Sequence, residues 1–237
     1  MNPTLRTILG TSLLALGLLA AIAAPVAASA RPDRPFESVD VDRGVARSAS
    51  VVLEVDVGRL DLRGQAAGDG RALVGVLDLG SAQTLERTVR GGEQLDVALR
   101  GHTRLRPRIV RGGAHWDLNL AADLPAALTV RSRVGETRLD LRGTAVHALE
   151  LDAGIGDHEV YLPERDVVAR LSTGLGDLDV FVPRGAVVRI QVEGGRALDA
   201  VPAGFVAVPG GYERDGAGAV IELTLGAGLG EARVQTY

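Results

Sequence analysis

Gly154-Ile155-Gly156-Asp157-His158-Glu159-Val160-Tyr161-Leu162-Pro163 returns 20 residues later as Gly174-Leu175-Gly176-Asp177-Leu178-Asp179-Val180-Phe181-Val182-Pro183. Each copy ends one alternating apolar run, turns on Gly-x-Gly and begins another. A strand–turn–strand unit of this size cannot bury its apolar face alone. Repetition at this period therefore predicts a solenoid in which each unit stacks on its copy. Aligned on the second glycine, Gly135, Gly156, Gly176 and Gly230 fall in register. Four and six residues beyond the first three stand Leu139/Leu141, Val160/Leu162 and Val180/Val182, which period-two alternation turns toward one core. Residues 188–202 read as a degenerate coil turning at Gly194-Gly195, and 205–218 as a longer Gly/Pro loop. Residues 220–225 and 231–237 read as the last coil. Its apolar end needs a cap, to which Tyr212 or Tyr237 is expected to contribute.

The N-terminal half continues the pattern with less regularity. Val51-Val52-Leu53-Glu54-Val55-Asp56-Val57 alternates and Gly58 turns it. Arg59-Leu60-Asp61-Leu62-Arg63-Gly64 follows, and the same hexapeptide returns at residues 138–143. Residues 73–79, 85–89, 95–99 and 115–120 read as further strands. No window outside residues 1–30 carries a 3.6-residue apolar stripe. The chain is expected to be all-β: a single-stranded β-solenoid of ~20-residue coils over residues 50–237, preceded by a linker over 31–49.

Residues 1–30 give the expected address. Arg6 precedes an uncharged stretch with a Leu/Ala-rich centre at 8–22, and Ala28-Ser29-Ala30 is a small-x-small cleavage site. This is the pattern of a secretory signal peptide; the rival reading is an uncleaved N-terminal helix that tethers the protein to a membrane. The mature chain is expected to be periplasmic or secreted. The chain has no cysteine, which excludes a disulfide framework and a lipidated cysteine. Its net charge of −4 argues against bulk nucleic-acid binding.

Trp116-Asp117-Leu118-Asn119-Leu120, then Leu124-Pro125, then Val134-Gly135-Glu136-Thr137-Arg138-Leu139-Asp140-Leu141 and the Gly-x-Gly-Asp…Pro coils resemble the bacterial toast-rack family. That family is related to the C-terminal domain of LiaF-type, cell-wall-active-antibiotic-response proteins. The resemblance runs from about Val51 to the C-terminus. It implies an extracytoplasmic β-solenoid and supplies no catalytic residues. LiaF-type proteins act in envelope-stress signalling and carry several transmembrane helices at their N-terminus, where this chain has only the signal-peptide pattern.

Candidate chemistry is sparse. Asp157 and Asp177 follow the turn glycine in successive coils, with Glu136 before and Glu231 after. Stacked at strand spacing, such carboxylates repel unless something offsets them, either a cation such as Ca²⁺ or backbone N–H groups capped at the turn. Capping is the preferred reading, so no metal is expected. Arg100, Arg104, Arg106, Arg108 and Arg111 lie in a window without acids. They form a candidate anion-binding row for phosphate-bearing envelope polymers, or else a solvated face paired with neighbouring acids. Arg138 and Glu159 match in adjacent coils and are expected to pair. His102, His115, His147 and His158 lack metal-site spacing. Tyr161 and Phe181 share an outward position and are expected to stack, covered by the 205–218 loop.

No Gly-x-Ser-x-Gly elbow, cysteine nucleophile or phosphate loop is present. The expectation is therefore a non-enzymatic scaffold without a cofactor, adhesin-like or engaged in envelope-stress interactions, with an envelope protein or anionic polymer as partner. The alternatives are an anion-binding envelope protein using the arginine row, and a β-helix enzyme acting on polysaccharide through outer-face carboxylates.

Overall fold

A computed structural model of the chain describes residues 36–66, 69–80, 83–103, 113–194, 198, 200–201 and 203–237. In chain order the strands are β1 (Phe36–Asp42), β2 (Ser48–Gln65), β3 (Arg71–Asp78), β4 (Gln83–Arg90), β5 (Gln94–Thr103), β6 (Ala114–Ala121), β7 (Ala126–Asp140) and β8 (Val146–Ile155). They continue as β9 (His158–Tyr161), β10 (Val167–Leu175), β11 (Leu178–Val182), β12 (Val187–Glu193), β13 (Val206–Val208), β14 (Gly211–Arg214), β15 (Val220–Leu229) and β16 (Ala232–Thr236). The described residues form no helix.

Each coil bends once at a glycine and contributes one segment to each of two facing layers. On one side of the bend run β5, the first half of β2, the first half of β7, then β8, β10, β15 and β12, all parallel. On the other side run β6, the second half of β2, the end of β7, then β9, β11 and β16, also parallel. Alternation fills the space between the layers. Leu53, Val130, Leu151, Leu171 and Leu225 stand in register on one wall, and Leu62, Leu139, Val160, Val180 and Val234 on the other. All ten are buried. The six inward positions read from the repeat (Leu139, Leu141, Val160, Leu162, Val180 and Val182) are each 0% exposed.

The bend is a glycine column. Gly58, Gly135, Gly156, Gly176 and Gly230 all have φ between +123° and +152°. A Cβ on Gly135 would meet the carbonyl oxygen of Gly58 at 1.7 Å, and one on Gly156 that of Gly135 at 1.8 Å. Only glycine lets successive turns approach this closely.

Four readings of the sequence change. Phe36–Asp42, placed in the expected linker, is strand β1. Its alternating Val39 and Val41 are buried, and it pairs antiparallel with β3, which pairs antiparallel with β6. Coils do not run uninterrupted from residue 50, because β4 on β5 and β3 with β1 on β6 close the N-terminal end in antiparallel fashion. The coil read at 188–202 does stack, through β12 and a bridge from Ala200 to Arg233. It lies outermost, however, because β15 inserts between β10 and β12. The 205–218 segment forms the β13–β14 hairpin, antiparallel on β12. Tyr212 belongs to this cap, opposite Ile190 and packed against the core. The buried Arg214 guanidinium fastens the cap by donating to the carbonyls of Pro183 (2.6 Å) and Ala186 (3.1 Å), with Phe205 beneath it at 4.9 Å. That burial lowers its pKa.

Candidate functional site

The outer face of the layer holding β6, β2, β9 and β11 gathers most of the side chains singled out by the sequence. Its first column comprises the residues that follow the bend glycines. Asp157 does not cap its own turn: its Oδ1 accepts the amide N–H of Asp177 in the next coil (3.2 Å). Asp177 Oδ1 likewise accepts the amide N–H of Glu231 (3.1 Å). Each carboxylate thus clips one coil to its successor, and Arg233 lies across Asp177 (3.4 Å), Asp179 (3.5 Å) and Glu231. Repulsion along the column is offset by backbone donors and two guanidiniums, those of Arg233 and of Arg59, which pairs with Glu136. Among the described residues no group of three or more His, Cys, Asp or Glu is arranged to hold a metal ion.

One coil nearer the N-terminus, a shallow cleft of about 620 Å³ is lined by Arg59, Asp61, Arg63, His115, Asp117, Arg138 and Asp140. Asp61 is 5% exposed. It accepts from Arg59 Nε (2.7 Å) and Nη2 (3.1 Å) and lies 3.0 Å from His115 Nε2. Burial pushes the Asp61 carboxyl up, but the hydrogen bonds from Arg59 and His115 outweigh burial and hold it below the usual carboxylate range. Asp140 is also held low, chiefly by the hydrogen bond from Arg142 Nε (2.8 Å). A glycoside hydrolase needs one carboxyl of its pair raised so that it can donate a proton at neutral pH. Both of these are shifted the other way. The His115–Asp61 pair resembles the base and orienting group of a hydrolytic triad, but among the described residues no Ser, Thr or Cys lines the cleft to serve as nucleophile.

The charged residues on the opposite outer face also pair across strands. Arg100, from the proposed anion-binding row, reaches Glu54 (3.2 Å) and Glu86 (3.8 Å), and Arg131 reaches Glu54 from the other side (2.8 Å). Arg104, Arg106, Arg108 and Arg111 lie outside the described residues. Arg138 and Glu159 pair at 3.4 Å, as their matching positions predict; a half-exposed pair of this kind contributes little to stability.

Tyr161 and Phe181 stack with centroids 4.3 Å apart and planes 8° from parallel. Their cover differs from the sequence reading. The 205–218 segment lies on the other layer, and Tyr161 is instead flanked by the guanidinium of Arg142 (4.7 Å) and the edge of Tyr237 (6.0 Å). Tyr237 donates to the carbonyl of Leu162 (2.7 Å), and burial pushes its hydroxyl pKa up to about 12. With Phe181 on one face of Tyr161 and Arg142 toward the other, that ring offers no free face to a sugar.

His158 is on the inward side with Val160 and is 3% exposed, beside Thr137 and Leu178 in register. Among the described residues its two ring nitrogens and the hydroxyls of Thr137 and Thr173 have no hydrogen-bond partner. Burial lowers the imidazole pKa, opposed by the charge of Asp157. The unfolded chain therefore takes up a proton near pH 6.5 that the folded chain refuses. Stability is fully present above about pH 6.5 and falls, by up to about 1.4 kcal/mol per pH unit, down to the depressed folded value. Thermal melts between pH 7 and 5 are expected to show this loss in the wild type and to lack it in His158→Leu. The loss from Asp61 and Asp140 belongs to lower pH, below about 4.

A two-layer stack of glycine-bent coils, closed by antiparallel strands and with outer charges largely paired across coils, is the architecture of a repeat scaffold. The family described as the N-terminal domain of toast_rack, DUF2154, matches residues 31–181, and the chain belongs to that family. A crystal structure of a proposed cell adhesion protein from Clostridium sporogenes ATCC 15579 is similar to it with a TM-score of 0.73. The similarity covers 86% of this chain and 99% of that one at 18% identity, a likeness of fold. None of the curated proteins compared matches the chain.

Proposed function

We propose that the chain is an exported, non-enzymatic β-solenoid scaffold that works through its surfaces, in adhesion or in envelope-stress interactions. The observation that carries this reading is the pairing of its outer-face charges. Asp61, Arg59, Arg100, Arg138 and Arg233 are held by partners in their own or adjacent strands, and Asp140 by Arg142 in the turn that follows its strand. Such an arrangement occupies the outer-face charges with one another, and it holds Asp61 and Asp140 low, where a catalytic acid would be raised. Membership of the toast-rack family and the cell-adhesion description of the similar structure support an interaction role. The pattern of residues 1–30 supports export, with cleavage after Ala30 and a periplasmic or secreted product. The resemblance to LiaF-type domains supports an envelope setting.

Affinity capture from envelope extract, using the protein collected from outside the cytoplasm, tests the reading. A discrete set of envelope proteins is expected to be retained, and the captured chain is expected to begin at Arg31. A chain that stays in the cytoplasm, or that retains nothing from the extract, overturns it.

A further inference from the structure

Five successive coil turns carry an aliphatic side chain at the same outward position. Val57, Val134, Ile155, Leu175 and Leu229 are in register along the ridge where the coils bend. The last four are 39%, 49%, 42% and 69% exposed, and Val57 is partly buried. The fold does not require this. The glycines flanking Ile155, Leu175 and Leu229 are forced by backbone contact, but the residue between them points into water, where turns ordinarily carry Ser, Asn or Asp. At strand spacing of about 4.8 Å the five residues make a continuous row about 19 Å long. A contiguous exposed apolar row marks an interaction site in a way that single exposed residues such as Val76 and Val168 do not.

The flanks of this row differ. On one side stand Glu136, Asp157, Asp177 and Glu231, with Arg59 (3.2 Å from Glu136) and Arg233 as their guanidinium partners. Asp157 makes no ion pair among the described residues. On the other side stand Asp56 and Arg133, paired with each other at 3.5 Å, followed by Gly154, Gly174 and Gly228, which carry no side chains. A complementary partner therefore needs an apolar row with positive charge along one edge. The repeat selects its backbone. One helical turn advances 5.4 Å, so over four rungs of about 4.8 Å an aliphatic-per-turn helix drifts by only about 2.4 Å. An extended strand, with same-face residues about 6.7 Å apart, drifts by about 7.6 Å, more than a rung. A convex single file also fits the groove between side-chain ridges of a helix. An anionic membrane, or a second copy docked with its ridge antiparallel, would bring negative charge against the acidic flank, and a second copy docked with its ridge parallel would set most of that flank against glycines.

We infer that this ridge binds a cationic amphipathic helix of a partner protein, with one aliphatic residue per turn and Lys or Arg facing Glu136, Asp157 and Glu231. This rests on the scaffold reading and names its surface. The probe is a labelled helical peptide with Leu once per turn and Lys along one flank, titrated by fluorescence anisotropy into the full chain. A twin peptide has Glu in place of each Lys. The Lys peptide is expected to bind at least about tenfold more tightly than its twin, and affinity is expected to fall as salt rises. The double variant Ile155→Gln/Leu175→Gln is expected to weaken binding by about tenfold or more with its melting temperature unchanged, since exposed side chains contribute little to folding.

Equal affinity for the two peptides, or undiminished binding by the double variant, overturns the proposal. So does concentration-dependent self-association of the wild type that the double variant abolishes, which would make a second copy the occupant. Capture of the same envelope proteins by wild type and double variant removes the ridge while leaving the scaffold reading standing. Failure of both proteins to capture anything removes the scaffold reading itself.

Discussion

Gly156→Val is expected to leave the chain unfolded, with no soluble product and no strand signal in far-ultraviolet circular dichroism. Two independent constraints act at this position. Its φ is +140°, a conformation that L side chains rarely adopt, and a Cβ there would lie 1.8 Å from the carbonyl oxygen of Gly135. That oxygen belongs to the adjacent rung of a ladder that continues upward, where the amide N–H of Gly156 donates to the carbonyl of Leu175 (2.8 Å). Relief of the clash means separating two coils and breaking the parallel pairing on both layers, which a domain stable by about 5–15 kcal/mol does not survive. Two other glycines serve as controls. Gly143 has φ +68°, but a Cβ there would have nothing within 4 Å, so Gly143→Ala is expected to cost only about 1–2 kcal/mol of backbone strain. Gly185 has an ordinary φ and open space, so Gly185→Ala is expected to be neutral or to stabilise by about 0.4–1 kcal/mol. Denaturant melts of the three variants separate a stacking glycine from a turn glycine and from an incidental one.

The parts of the structure legible in the sequence are those set by local repetition. A period of 20 residues and the Gly-x-Gly turn fix where each coil bends. Alternation fixes which of Leu139, Val160 and Val180 face inward, because a one-residue slip would expose all of them. Charge-bearing positions that recur at the same point in the coil become neighbours, which is why Arg138 and Glu159 meet; the rings of Tyr161 and Phe181 meet for the same reason.

What the repeat does not encode is the order in which similar coils stack. Val188 and Ile190 alternate as well as Ile221 and Leu223 do, and either strand could lie against β10. The choice falls to long-range complementarity: β15 continues into β16, which completes the second layer beside β11, whereas after β12 the second layer receives only the Ala200 bridge among the described residues. Likewise β1 alternates at Val39 and Val41, but Pro35 and the surrounding charges give it the composition of a linker. Its strand character comes from the edge of β3. The aspartate column shows the same limit at the scale of one side chain. The sequence places Asp157 beside a turn that needs capping, but the amide it caps belongs to the next coil, 20 residues away. Three residues of the exposed ridge, Ile155, Leu175 and Leu229, are present in the sequence as the x of Gly-x-Gly, and Val57 and Val134 precede a bend glycine after Asp56 and Arg133. The meaning of the ridge emerges only when five turns are laid side by side.

Val160→Asp tests the core as Gly156→Val tests the bend, and the solenoid contains its own control. Val160 is 0% exposed, between Leu139 and Val180 in register, in a column of aliphatic side chains that extends from Leu62 to Val234. No cation stands in that column. A carboxylate placed there keeps its charge without a partner or takes up a proton, and either way the cost is several kcal/mol, beyond the lost packing of the valine. Val168 lies on the next coil, on the outer side of β10, and is 58% exposed. Val168→Asp makes the same chemical change facing water, where the expected cost is within about 1 kcal/mol. Urea melts should therefore give a folded, near-wild-type Val168→Asp chain and a Val160→Asp chain that is unfolded at neutral pH. Equal tolerance of both substitutions would mean that the two layers do not enclose a dry core, and with that the coil-stacked reading of the molecule would fail.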